Sequence, residues 1–378
     1  MRVLVVYGTR PEVIKLAEVI RLLKSRDGVQ TVVCATGQHR EMLEQAERVF
    51  GLVPDIDLDV MVEDQPLNLL ASKLFGALDG VLTEVAPDWL IVQGDTTTAA
   101  CAALAAFHRR VRVAHVEAGL RTGDLERPFP EEANRRVVDL VSTLLFAPTP
   151  RARENLLSEG VSEERILLTG NTVVDALRRV ADEAERTPRR DEVLVTVHRR
   201  ESFGEPLERV VAALARLAGR NPSVTWTLPV HPNPNVKKTV AVGLSGLENV
   251  RLTEPMDYPT LVRALRRVRL VLTDSGGIQE EAPAFGTPVL VLREATERPE
   301  ALEVGAAELV GFDPESIVTR TEKLLSDEDL RIAMASAPNP FGDGLAAERI
   351  VAAIVDGVRR EWDGRGWKDL SLSDPLLQ

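Results

Sequence analysis

Short runs of β-branched and aliphatic residues recur along this chain, each followed by a turn and an amphipathic helical stretch, and this rhythm leaves few folds open. In the first half the runs are Arg2–Tyr7, Val29–Thr36, Trp89–Gln93, Arg112–Val116, Leu144–Ala147 and Ile166–Thr169. Helical patterns separate them, among them Pro11–Lys24, His39–Phe50, Asn68–Val85 and Thr97–Arg109. Strands this apolar have no polar face to offer water, so they predict a parallel sheet covered on both sides. Right-handed crossovers then give a doubly wound domain. The charged stretch Ala184–Glu192 lacks apolar periodicity and predicts a linker. Beyond it the rhythm restarts at Val193–Val197, Val224–Leu228, Val250–Thr253, Leu270–Thr273 and Pro288–Leu292. The expectation is an α/β chain of two doubly wound, Rossmann-like domains, 1–185 and 192–344. A last helix over Leu345–Trp362 fits against either of them, and a loosely held tail follows Trp367.

The length of 378 residues suits two such domains. Aromatic residues make up 4% of the chain, so both cores must be built from Ala, Val and Leu. The net charge of −12 argues against nucleic acid as a partner, because such proteins carry a basic patch or stripe. Cys34 and Cys101 lie in apolar runs and offer neither a disulfide framework nor a metal knuckle. No paired metal-ligand spacing appears among the five histidines, so no metal is expected. The N-terminal run MRVLVVYGTR is too short for a signal peptide, and no apolar stretch approaches membrane-spanning length. These features predict a cytoplasmic protein.

Chemistry concentrates where strands end. In LVLTDSGGIQEEAP a buried strand meets Ser275-Gly276-Gly277 and then a helix start. Unpaired N–H groups and a partial positive charge at a helix N-terminus suit phosphate, and glycines let the backbone approach it closely. The plain alternative is a tight turn with Ser275 as N-cap. Glu280 and Glu281 add two carboxylates in the first turn, and one facing the ligand can accept both hydroxyls of a ribose. The first strand exits through Gly8-Thr9-Arg10-Pro11, which is not the dinucleotide fingerprint because Gly8 stands alone. Arg10 and Lys15 can neutralise a diphosphate there, or stand as ordinary solvated cations.

A third cluster is acidic. Asp95 closes the strand LIVQGD and Glu117 closes VAHVEAG, so both stand at the carboxyl edge of the sheet. Asp95 also reads as the N-cap of the next helix, whereas Ala118-Gly119 leaves Glu117 no such role. Glu131 lies in the Pro-rich run RPFPEEANR that leads into a helix. Neighbouring carboxylates shift one another's pKa, as a general acid/base pair requires. His198 ends a strand before two arginines and a Ser-Phe-Gly turn, a setting that suits an anion, and His231 in PVHPNPN resembles it. His108 and His115 read as structural or surface residues.

Taken in order, GTRPEVIK, QGDTTT, HVEAGLRTGD, RPFPEEANR, TGNTVVDAL, VHRRESFG, PVHPNPNV, TDSGGIQEEAP, TERPEA and NPFGDG resemble the non-hydrolysing UDP-N-acetylglucosamine 2-epimerases. Ten ordered motifs from residue 8 to about 344 make the resemblance specific. It implies a glycosyltransferase-B-type fold, with the active site in the interdomain cleft and the C-terminal helix, 345–365, returned to the N-terminal lobe. It implies interconversion of UDP-GlcNAc and UDP-ManNAc without a cofactor, for cell-envelope polysaccharides, by a homodimer. Asp95, Glu117, Glu131 and His198 match the catalytic positions. Arg10, Lys15, Ser275, Gly276, Gly277, Glu281 and Arg298 match substrate contacts, with Glu281 on the ribose. The mechanism implied is elimination of UDP to 2-acetamidoglucal, then re-addition after C2 is protonated from the other face.

Gln38-His39-Arg40 keeps the run expected at a second, regulatory UDP-GlcNAc site. Glu41 and Asp64 depart there from the residues common in relatives, and Glu18 stands where many have Pro. A hydrolysing epimerase shares the fold and first step but not the intact HRRES and RPFPEEANR runs. A glycosyltransferase needs an acceptor groove, and a nucleotide-sugar sensor has no need of Asp95, Glu117 and Glu131 together.

Overall fold

The computed structural model describes residues 1–37, 40–60, 62, 65–183, 190–197 and 202–364. By compactness they form two units, Met1–Arg178 with Phe341–Gly364, and Arg179–Pro340.

The first unit carries seven parallel strands: β1 (Arg2–Tyr7), β2 (Gln30–Ala35), β3 (Ile56–Asp57), β4 (Trp89–Gln93), β5 (Arg112–Val116), β6 (Leu144–Ala147) and β7 (Ile166–Leu168). Their order is β3-β2-β1-β4-β5-β6-β7. Starting from β1, successive strands build outward to one side and then, from β4, to the other. That reversal is the topological switch point of a doubly wound sheet, beside which ligands bind. Burial explains the strand composition. All five residues of β4 are buried, as are Val3–Tyr7 of β1, so each strand is covered on both faces. Helix α1 (Arg10–Lys24) buries Val13, Leu16, Val19, Ile20 and Leu23, the spacing of one helical face. Helices α2 (Arg40–Phe50) and α3 (Leu67–Val85) follow, then α4 (Thr97–His108). The small residues of α4, Ala99–Ala103 with Ala105 and Ala106, allow tight packing on the sheet and on α3 and on α5 (Glu131–Val141). Both cysteines are buried in this core. Helices α6 (Pro150–Ser158) and α7 (Thr172–Glu183) complete the main part of the unit, whose boundary falls within α7.

The second unit repeats the device with β8 (Glu192–Thr196), β9 (Thr225–Pro229), β10 (Val250–Thr253), β11 (Leu270–Thr273), β12 (Val289–Val291) and β13 (Ala307–Leu309), in the order β10-β9-β8-β11-β12-β13. Helices α8 (Glu205–Arg220), α9 (Pro234–Leu244), α10 (Tyr258–Arg267), α11 (Gly276–Glu281), α12 (Pro299–Glu303), α13 (Pro314–Ser326) and α14 (Glu328–Ser336) connect and follow them. Trp226 is the largest side chain of its core, among Val193, Val195, Leu214 and Leu272.

Two expectations need correction. Glu192 is not linker but the first residue of β8, buried, accepting from Thr227 Oγ1 at 2.6 Å and Arg267 NH2 at 3.0 Å; residues 184–189 lie outside those described. The helix expected over 345–362 runs only from Ala346 to Asp356, as α15 (Ala346–Val351) and a wider terminal turn. Gly357, in the left-handed region at φ 66°, ends it. The chain then extends to Trp362, whose N–H donates to Leu168 O at 2.8 Å at the end of β7. Helix α15 packs on α1 within the first unit, and its N-terminus is held by Asp175 of α7, which accepts from Ala347 N at 2.8 Å and Ala346 N at 3.3 Å.

Candidate active site

Glu117 stands one residue beyond β5 with φ 67°, a left-handed backbone that a non-glycine residue adopts only when its surroundings impose it. The imposed turn buries the carboxylate, 8% exposed, among donors from three elements. Lys15 Nζ of α1 forms an ion pair with Oε1, Gln93 Nε2 at the end of β4 donates to Oε2, and Asn171 Nδ2 donates to Oε1 at 2.8 Å. A buried carboxylate is costly unless paired in this way. Its partners include a cation and two amides, so Glu117 is placed as an acceptor. Lys15, expected beside a diphosphate, stands against Glu117 and is itself buried.

Asp95 occupies the neighbouring strand end. Thr96, not Asp95, caps α4, with its Oγ1 accepting from Ala99 N at 3.0 Å. That leaves the Asp95 carboxylate to pair with Arg135 of α5, while Asn134 Nδ2 holds the Asp95 carbonyl at 2.9 Å. Arg135 also reaches Glu132 Oε2 at 3.2 Å, and Glu132 is fully buried with Arg136 on its other oxygen at 3.0 Å. Glu131 opens α5 and is half-buried, so Glu131, Asn134 and Arg135 share one turn of helix next to Asp95. The residues that sequence reasoning passed over are Gln93, Arg135 and Asn171. Each lies inside a motif already quoted, and the i, i+4 spacing of Glu131 and Arg135 was the available signal.

Glu12 joins the two loops that flank these carboxylates. Its Oε2 accepts from Gly8 N at 3.0 Å and from Thr9 N and Oγ1 at 2.7 Å, and its Oε1 from Thr96 Oγ1 at 2.8 Å. Burial pushes its carboxyl up to about 7, against the pull of those donors. Arg10, half-buried, is the first residue of α1 in the same loop.

In the second unit Ser275 caps α11, its Oγ accepting from Ile278 N at 3.5 Å, and its own N–H is held by Thr273 Oγ1 at 2.9 Å. Gly276 and Gly277 form the first turn. A second loop is fastened to this helix twice: Thr296 Oγ1 donates to Gln279 Oε1 at 2.6 Å, and Arg298 Nε to Glu280 Oε1 at 2.7 Å. Glu280 is thereby committed to Arg298, and Glu281, its neighbour, is 6% exposed. His231 follows β9, with Nδ1 accepting from Asn233 N at 3.2 Å and its ring 5.4 Å from that of Phe203. His198, Gln38 and His39 lie outside the described residues. Among the described residues no group of three or more His, Cys, Asp or Glu is placed to hold a metal ion, and no helix is long and apolar enough to cross a membrane.

Residues 21–355 match the family model described as UDP-N-acetylglucosamine 2-epimerase. A probable UDP-N-acetylglucosamine 2-epimerase of Ralstonia nicotianae is 48% identical over 368 residues, 93% of this chain and 98% of that protein. The UDP-N-acetylglucosamine 2-epimerase of Yersinia pestis is 47% identical over 369 residues, 94% and 98% of the two. The UDP-GlcNAc 2-epimerase from Neisseria meningitidis, solved bound to UDP-GlcNAc, superposes with a TM-score of 0.89 at 40% identity, covering 94% of this chain and 100% of that one. A glycotransferase of kitacinnamycin, at 16% identity and a TM-score of 0.62, shares the fold alone.

Proposed function

The chain belongs to the UDP-N-acetylglucosamine 2-epimerase family and is an isomerase, and we propose that it inverts C2 of UDP-N-acetylglucosamine by eliminating and re-adding UDP. The observation that carries the reading is a pair of carboxylates at adjacent strand ends: Glu117, in a strained turn among Lys15, Gln93 and Asn171, and Asp95, paired with Arg135 of α5. The C2 proton of the sugar is not α to a carbonyl, so direct abstraction is difficult. Breaking the C1–O bond first sends its electron pair to the diphosphate and leaves oxocarbenium character at C1. C2 then becomes acidic enough for a carboxylate to take its proton, giving 2-acetamidoglucal with a C1–C2 double bond. Protonation of C2 from the opposite face and return of the diphosphate oxygen to C1 complete the inversion. Each step moves only a proton and an electron pair, so this route calls on no redox cofactor.

Within this reading Asp95, Glu117 and Glu131 serve proton transfer and charge stabilisation around the sugar. With donors set around its carboxylate, Glu117 is placed to accept and so suits taking a proton. Ser275, Gly276 and Gly277 hold the diphosphate at the start of α11, Glu281 takes the ribose, and Arg298 fixes that helix through Glu280. Arg10, His198 and His231 are assigned to the departing diphosphate, and Gln38 and His39 to a regulatory copy of the substrate. Work in the cytoplasm, as a homodimer supplying cell-envelope polysaccharide, belongs to the same proposal.

The test is incubation with UDP-GlcNAc in D2O, followed by NMR. UDP-ManNAc carrying deuterium at C2 is the expected product. Free ManNAc as sole product would make the enzyme a hydrolysing epimerase, and deuterium-free UDP-ManNAc would rule out loss of the C2 proton to solvent.

A further inference from the structure

His115 is completely buried at the penultimate position of β5, two residues before Glu117, and both ring nitrogens are engaged. Nε2 meets Gly94 O at 2.8 Å; a carbonyl only accepts, so Nε2 is the donor. Nδ1 meets Asp139 Oδ1 of α5 at 2.6 Å. The other Asp139 oxygen accepts from Gly119 N at 3.3 Å and from Arg121 NH1 at 2.8 Å. Arg121 continues outward to Glu159 at 2.6 and 2.8 Å. The two residues bonded inward, Gly94 and Gly119, bracket the carboxylates: Gly94 directly precedes Asp95, and Gly119 ends the turn that Glu117 begins.

Gly94 shows why a side chain is needed here. Its N–H donates to Val116 O at 3.0 Å, as a sheet continuation would. At φ 72° the chain then turns away, and its carbonyl no longer faces a strand partner. The imidazole of His115 supplies the missing donor, so β5 grips Gly94 by both backbone groups. A buried carbonyl left without that donor is costly and is free to rotate toward another partner. Rotation of that peptide would carry Asp95 with it. On the far side, Asp139 performs the same service for the strained Glu117–Gly119 turn.

We infer that His115 is a positioning residue for the epimerisation, holding the Asp95 turn directly and the Glu117 turn through Asp139. This inference rests on the proposed function, since it gives the two carboxylates a reaction to be positioned for. His115 has no role in the mechanism above and touches neither carboxylate. Its effect is geometric, because carboxylates displaced by a fraction of an ångström lose rate and not binding of the nucleotide.

Two near-isosteric replacements separate the bonds. His115→Asn keeps a donor where Nδ1 stands and loses the one facing Gly94; His115→Gln keeps the donor facing Gly94 and loses the other. Expected is a fall in kcat of about tenfold or more for His115→Asn, partly rescued in His115→Gln, with KM and the Kd for UDP within about threefold of wild type in both. A role confined to folding would lower melting temperature alike in both variants without this split. Unchanged kcat in folded His115→Asn, or equal losses in the two variants, overturns the inference. Should His115→Asn not fold, Asp139→Asn is the second variant. It is expected to lose kcat at constant UDP affinity, and unchanged kcat there, or failure of all three variants to fold, overturns the inference equally. Wild type assayed alongside keeps the readings apart: no UDP-ManNAc from wild type defeats the proposed function, whereas normal wild-type turnover beside unaffected variants defeats only the positioning role.

Discussion

Asn171 donates to Glu117 Oε1 at 2.8 Å from the loop after β7, although β6 lies between their two strands in the sheet. The contact requires Glu117 to turn along the sheet edge, which its φ of 67° accomplishes. The strained backbone and the three donors are therefore one arrangement: the turn delivers the carboxylate, and the donors offset the cost of the turn.

Replacing Glu117 by Gln tests what that arrangement is for. Gln keeps the volume but turns an amide toward Lys15, Gln93 or Asn171 and removes the proton acceptor. We expect kcat to fall at least about a hundredfold, the usual contribution of a general acid/base, with UDP affinity little changed. Steady-state kinetics together with UDP titration decide it, and a variant within threefold of wild type would take Glu117 out of the reaction.

Gly119 carries the other half of the turn. Its φ is 85°, and a Cβ there would lie 2.2 Å from the Ala152 carbonyl oxygen, a backbone atom that cannot step aside. Gly119→Ala should cost about 3 kcal/mol or more, combining strain with overpacking. Gly160 is the control: φ is 84° and nothing lies within 4 Å of its Cβ position, so Gly160→Ala should cost only about 1–2 kcal/mol. Equal urea midpoints for the two variants would contradict the clash.

How much of this was readable in advance follows from the length scale of each feature. The strand–helix rhythm named both doubly wound units because a fully buried parallel strand needs several consecutive apolar residues. Edge strands β3 and β13, of two and three residues, are too short to show any periodicity. Glu117 stands out in the sequence because a carboxylate ending an apolar run with no cap to make has no cheap structural explanation, whereas Asp95 also reads as an N-cap, a place that Thr96 takes. Lys15 reads from sequence as a phosphate contact, and its pairing with Glu117 is not readable there, since which anion a cation meets depends on helix rotation. Arg135, Asn171 and His115 lay in plain view but gained meaning only from partners 40, 54 and 21 residues away.

Arg135 is the next test. It joins Asp95 to the fully buried Glu132, so Arg135→Met leaves Glu132 with Arg136 and the N–H groups of Thr122 and Gly123. Removing one partner of a buried pair costs about 3–5 kcal/mol, and the remaining arginine places this case near the lower figure. Release of Asp95 should lower kcat by about tenfold in the molecules that stay folded. Chemical denaturation and kinetics measure the two effects separately, and loss of stability with full kcat would show that Asp95 needs no partner.

Glu12 and Asp175 set a pH dependence. Burial raises each carboxyl to about 7, the first from 4.5 and the second from 3.8. Between roughly pH 4 and 7 the folded chain therefore binds more protons than the unfolded one, and these groups make stability fall as pH rises, levelling off above 7. Glu12→Gln cannot ionise, so its melting temperature relative to wild type should increase from pH 5 to pH 7.5. A relative melting temperature that is constant or decreases over that range would contradict the raised pKa.

The second unit should respond in the opposite kinetic sense to the first. Ser275 caps α11 and presents its hydroxyl beside Gly276 and Gly277, while Arg298 anchors the same helix through Glu280. If these groups hold UDP throughout the reaction, their contacts are as strong in the ground state as in the transition state. Losing one then weakens binding and leaves the bound complex reacting at its former rate. Ser275→Ala and Arg298→Gln should each raise the Kd for UDP and the KM for UDP-GlcNAc about tenfold, equivalent to about 1.4 kcal/mol, with kcat within about threefold. Glu117→Gln shows the reverse split, so the same assays applied to all three variants test the division of labour between the units. A kcat loss in Ser275→Ala matching that of Glu117→Gln, at normal UDP affinity, would move the α11 turn from binding UDP to the chemistry itself.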